Sequence, residues 1–231
     1  LSPQQLAAIS AVAASMLTTT QIASLSVTQL AGLSTIQISG LKSTAIAALT
    51  QTQIQALSSR QLGSISTTAL SGLSASQVAL LSSTQIQGLT STQINSLSST
   101  AFSAIAATQI SSMTLAQLRA ISSTNISALT STQVQQLSAT QIASLNATQL
   151  SGFTATDMAE LSAANLAALT KTEISALPAS ALQGLTQTQI AALTTTQISG
   201  LTSTQLSALS TDQITALSST QIKALTTAGV S

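Results

Sequence analysis

A chain of 231 residues with no cysteine and no histidine has no means of forming disulfides, thiolate metal sites, thiol nucleophiles or imidazole acid/base machinery. Only 4% of its residues are charged, against roughly a quarter in an ordinary globular protein, and the net charge is +1; five scattered basic residues make no phosphate-tracking surface, so nucleic acid is not expected as a partner. A balance this close to neutral removes the repulsion that keeps soluble proteins apart and favours self-association, and no run of about eighteen apolar residues exists to form a membrane span.

From Leu1 onward every eighth residue is large and apolar: Ile9, Leu17, Leu25, and so on to Leu225. The sixth position of each octad is equally strict from Leu6 to Val230, with Ala14 the one departure. Residues 1–231 are therefore expected to be a single uninterrupted array of about 29 octapeptide repeats. Neither end carries a polar capping unit and there is no initiator Met, so the array is expected to be a section of a longer one.

Near the start, residues 6–17 (LAAISAVAASML) look a little like the apolar region of a signal peptide, but no basic residue precedes them and Ile9 and Leu17 stay in repeat phase. In the second octad Val12 or Met16 is expected to fill the space that Ala14 leaves. Further on, Ile36, Leu80 and Leu115 place apolar groups at positions that are usually polar or small, and Phe102 and Phe153 replace aliphatic core residues. All five are expected to be local repacking.

Residues 185–225 state the phrase L-[S/T]-x-T-Q-I-x-[A/G/S] most cleanly. Its period fits neither regular element. Eight residues of continuous α-helix advance 800°, so the apolar rows would drift by about 80° per octad; positions one and six have opposite parity, so a straight strand would put them on opposite faces. Each octad must contain its own break.

Helix-start chemistry identifies that break. With Thr194 as N-cap, Gln197 falls at the third helical position, completing the S/T-x-x-E/Q capping box, and Leu193 and Ile198 occupy the two positions of a hydrophobic staple. Thr202 and Gln205 repeat the cap one octad on, and Leu201 with Leu206 and Leu209 with Ile214 repeat the core pair. Ser or Thr fills the cap position in 25 of 29 octads, with Asn146 also competent and Lys42, Ala106 and Pro178 weaker. In this register Pro3 stands at the first helical position, where a missing N–H is harmless. Asp157, Glu173 and Asp212 lie at the positive end of a helix dipole. Seven of nine glycines occupy the eighth position, where a short helix is expected to end. The predicted fold is all-α: a solenoid of helices of about 1.5 turns, one per octad, with a β-solenoid as the alternative because Thr and Ile favour strands.

No catalytic residue, cofactor or metal site is expected, and the chain is not expected to be an enzyme. Asp157 and Glu160 resemble a weak cation site, yet oxygen-ligand sites need more donors, so a capping acid and a solvated acid is the better reading. Glu173 and Lys171 form a surface pair of little worth. The fourth position is Thr in 19 of 29 octads, Thr188, Thr196 and Thr204 among them. That row is a candidate surface for ice or a polysaccharide.

The phrases LTTTQISG, LTSTQLSA and LSSTQIKA resemble the Ser/Thr-Gln-Ile-rich repeat regions of large secreted or surface-anchored bacterial proteins described as adhesin-like or haemagglutinin-like. The resemblance implies an extracellular or cell-surface location and a stalk or filament role. The leading expectation is a structural repeat protein whose rigid solenoid associates with itself into a filament, stalk or surface layer, adhesive or part of a biofilm matrix; the alternative is a binding module using the Thr row.

Overall fold

The computed structural model describes residues 3–226, and among them the chain forms 28 short α-helices, α1 (Pro3–Ala7) to α28 (Ser219–Thr226), with no strand. One helix per octad makes an α-solenoid and removes the β alternative. The helices are four to eight residues long, from α25 (Thr195–Ile198) to α28.

Each octad alternates two backbone states. The cap residue is extended, with Thr194 at φ −70°, ψ 158°, and its carbonyl accepts the N–H of the core residue four on, as Ile198 donates to Thr194 at 2.9 Å. The core residue's own carbonyl then accepts from the next position-one residue, Leu201 to Ile198 at 3.1 Å. One turn of helix is closed, and the following Ser or Thr reopens the chain. Pro3 is the first residue of α1, the place where proline costs no hydrogen bond.

The chain falls into two compact units, Leu1–Ala120 and Ile121–Ser231. Within each, a helix packs on the helix three further along. In the first unit α2 (Ala11–Ser15) packs on α5 (Thr35–Ser39) and α5 on α8 (Ser59–Ser64). In the second, α17 (Ser131–Gln135) packs on α20 (Ala155–Glu160), α20 on α23 (Ala179–Leu182), and α23 on α26 (Ser203–Ala208).

The two apolar rows meet between these layers. Position six is buried from Leu6 to Ile198 and position one from Leu33 to Leu201, with Phe102 and Phe153 inside the core like their aliphatic counterparts. Leu193, Ile198 and Leu201 are buried as the pattern requires. Leu206 and Leu209 are only half-buried, and Ile214 is 39% exposed. The physical reason is the stacking order: among the described residues no helix three further on lies over α26, α27 (Thr211–Thr215) or α28. Leu1 and Val230 lie outside the described residues.

Two expectations about the apolar departures are corrected. Val12 and Met16 are 69% and 74% exposed while Ala14 is fully buried, so neither fills its space. Two residues along a helix is a rotation of about 200°, which turns both side chains away from the core row. Ile36 and Leu115 are likewise exposed and repack nothing, whereas Leu80 is half-buried.

Helices do end at the eighth position, with Gly32 and Gly40 as C-cap residues, but not through the left-handed backbone that usually selects glycine there. None of the described residues has positive φ. What the eighth position requires is room for another stretch of chain: a Cβ at Gly40, Gly72 or Gly184 would stand 2.3, 2.1 or 1.7 Å from the carbonyl oxygen of Ala11, Ser43 or Ala155 respectively. In every case that neighbour is the first residue of a helix 29 positions back. Gly32 differs, because its Cβ would meet only the carbonyls of Thr28 and Gln29 in its own turn, at 3.3 and 3.5 Å.

Gly184→Ala is therefore expected to destabilise the protein by roughly 1–3 kcal/mol through forced separation of two turns, while Gly32→Ala is neutral or stabilising by up to about 1 kcal/mol. Thermal and urea denaturation followed by circular dichroism checks both, and equal effects would refute the close-approach explanation.

Candidate functional site

A helix of four to six residues is a poor structure taken alone. The first four N–H and last four C=O groups of any α-helix lack internal partners, so in helices this short almost the whole backbone needs help from elsewhere. The position-five glutamine supplies it in two directions.

At Thr194 and Gln197 the capping box is complete. The Gln197 N–H donates to Thr194 Oγ1 at 3.2 Å, and the Thr194 N–H donates to Gln197 Oε1 at 2.9 Å. Thr202 and Gln205 repeat it at 3.2 and 2.8 Å. The other end of the same amide leaves the octad. Gln197 Nε2 donates to the carbonyls of Leu166, at 2.7 Å, and Leu169, at 2.8 Å, at the end of α21 (Ala163–Ala167). Gln205 Nε2 reaches Ile174 at 2.9 Å and Leu177 at 2.7 Å.

These acceptors stand 31 and 28 positions back, and the spacing recurs. In the first unit Gln37 bonds Leu6 and Ile9, Gln53 bonds Ile22 and Leu25, and Gln117 bonds Ile86 and Leu89, all between 2.6 and 2.9 Å. In the second, Gln213 and Gln221 do the same to Leu182 and Leu185, and to Ile190 and Leu193. The Leu169 carbonyl illustrates the need: among the described residues no backbone N–H donates to it. The amides themselves are buried, Gln197 at 4% and Gln205 at 2% exposure. No fully buried side-chain polar atom among the described residues lacks a partner.

Each of these glutamines is thus a joint that closes its own corner and ties it to the chain between three and four helices earlier. The weak caps lose part of it: Lys42 and Pro178 make no side-chain cap bond, and Ala106 keeps only the bond from its N–H to Gln109. The alanines at positions 45, 69, 101 and 181 supply neither half.

The acids at position five also depart. Glu173 Oε2 accepts the Thr170 N–H at 2.6 Å but has no donor for the preceding turn. Asp157 is 2% exposed, and its Oδ2 accepts from both the N–H and the hydroxyl of Thr154 at 2.7 Å. Burial pushes the Asp157 carboxyl above its ordinary range, more than the Thr154 hydrogen bonds lower it. Glu160 accepts a hydrogen bond from Gln135 Nε2 on α17 rather than turning towards Asp157. Among the described residues no group of three or more His, Cys, Asp or Glu side chains could hold a metal ion, and no helix is long and apolar enough to cross a membrane.

Every described position-four residue beyond the second octad, including Thr188, Thr196 and Thr204, is exposed. Those three sit on α24 (Gln187–Ala192), α25 and α26. Since it is the third helix on that stacks on a given helix, consecutive threonines belong to different sides of the coil and do not gather on one plane. An open groove in the second unit is lined by Ser123, Ser151, Phe153, Pro178 and Ser180. Phe153 is only 3% exposed and offers no ring face for a sugar.

Fold and joint together define a repeat-containing α-solenoid protein whose recurring chemistry is structural. Residues 54–91 and 195–227 match the ALTTAQ repeat family, and the chain's own run at 192–197, ALTTTQ, carries a core leucine, a cap and a joint glutamine. Comparison with curated proteins finds no match.

Gln197→Leu is expected to cost about 2 kcal/mol or more, because it strands buried backbone groups at both ends of the amide; Thr194→Ala is expected to cost about 1 kcal/mol, the value of one cap. A double-mutant cycle read by urea denaturation checks this, with Gln197→Leu no worse than Thr194→Ala as the outcome that removes the joint.

Proposed function

We propose that this chain is a structural protein whose octad solenoid associates with copies of itself into a filament, stalk or surface layer. It works outside the cell or on the bacterial cell surface, in adhesion or a biofilm matrix, and has no catalytic activity. The observation that carries this reading is the sameness of the joint. Within each unit successive turns meet through the same leucine rows and, wherever position five ties back with an amide, the same bond to a carbonyl 28 positions earlier, so the surface on which one turn seats recurs.

The composition supports it: a chain with 4% charged residues offers little electrostatic resistance to self-association.

The 231-residue chain is expected to form linear assemblies that lengthen with concentration in sedimentation and negative-stain microscopy, with its helical circular dichroism unchanged. Dispersed monomers across concentration and salt would sink the self-assembly reading. Polysaccharide retention by such monomers would favour a binding module instead.

A further inference from the structure

Asp157 is the one acid buried in a joint. Every other joint residue that ties its octad to the preceding turn is an amide, and the closest template is Asn165, one octad on in the same unit. Asn165 is as short as Asp157 and is 5% exposed; its Oδ1 accepts the Ser162 hydroxyl at 2.6 Å and its Nδ2 donates to the Leu137 carbonyl, 28 positions back, at 2.9 Å. Asp157 reproduces the first half, with Oδ2 accepting from Thr154. By the same 28-residue spacing, the carbonyl that corresponds to Leu137 for Asp157 is that of Leu129, itself in the core row.

A carboxylate has only acceptors, and so does a carbonyl. Two such groups brought together at a joint repel unless a proton lies between them. Neither helix packed on α20 contributes a compensating charge, since α17 is STQVQ and α23 is ASAL. On α20 itself the only other titratable group is Glu160, which is engaged with Gln135.

We propose that Asp157 is a proton-binding site that completes its joint only as the neutral acid, donating its proton to the Leu129 carbonyl as Asn165 donates to Leu137. The second unit is therefore tightened by acid and loosened as the pH rises. The direction of the carboxyl's displacement by burial agrees. The linkage has a definite sign. Below the unfolded-state pKa, about 3.9, folded and unfolded chains both hold the proton and the stabilisation is complete. As pH rises the unfolded chain releases it first, so stability falls until the folded-state pKa is passed and stays low above it.

The test is a carbon-13 titration of the aspartate carboxyls in the intact 231-residue chain, folded and in urea, together with melting curves from pH 3.5 to 8. The Asp157 midpoint is expected to lie higher in the folded chain than in urea. Asp157→Asn is expected to raise the melting temperature at neutral pH and to flatten its fall between acid and neutral pH, whereas Glu160→Gln leaves that fall in place. An Asp157 midpoint at or below the urea value overturns the proposal, even where Asp157→Asn does not fold. So does restoration of neutral-pH stability by sodium or potassium at fixed pH, which would make the site one for a cation.

Discussion

A single primary amide holds this architecture together by serving two masters at once. Its oxygen accepts the N–H of its own cap, and its nitrogen donates to carbonyls some thirty residues earlier, so local and long-range order are fixed by the same side chain. Helices this short would otherwise leave most of their backbone groups to water, and water has no access to a layer where the glutamines are only a few per cent exposed. Burial of the leucine and isoleucine rows supplies the drive to stack. The amide decides where the stack is allowed to settle, because it is satisfied only when the preceding turn lies 28 and 31 positions back.

Much of this is legible in the sequence. The staple of Leu193 with Ile198 and the cap of Thr194 with Gln197 pointed to one helix per octad, since no continuous helix or strand keeps both rows aligned. The inter-turn half of the joint was harder to see, because a capping box is equally content with glutamate. The signal was the choice between the two: position five holds Gln in 19 octads and Glu only at Glu173. A cap needs only an acceptor, so that preference is the mark of a donor with somewhere to go.

Helical rotation alone turns Val12 and Met16 away from the core row that Ala14 occupies. The position-eight glycines show in the sequence as helix ends, but not why most of them must be so small. Their surroundings are set by the turn that lies about 29 residues away. Pattern within eight residues reveals a helix and its cap; it does not reveal which backbone will pass within contact of the eighth residue. The number of octads per turn emerges only between layers, where the amide finds its carbonyls and where small residues mark the closest approach.

The corners between helices use only ordinary extended and right-handed backbone, with no described residue at positive φ. They demand no special residue, and the joint's long-range acceptors are main-chain carbonyls that any octad presents alike. Eight residues can therefore be gained or lost from such a chain without disturbing what remains: every glutamine past the change still finds a carbonyl at the same distance back. Length is then almost neutral to folding, free to drift by unit duplication and deletion, and selection can adjust the reach of the protein without redesigning any part of it.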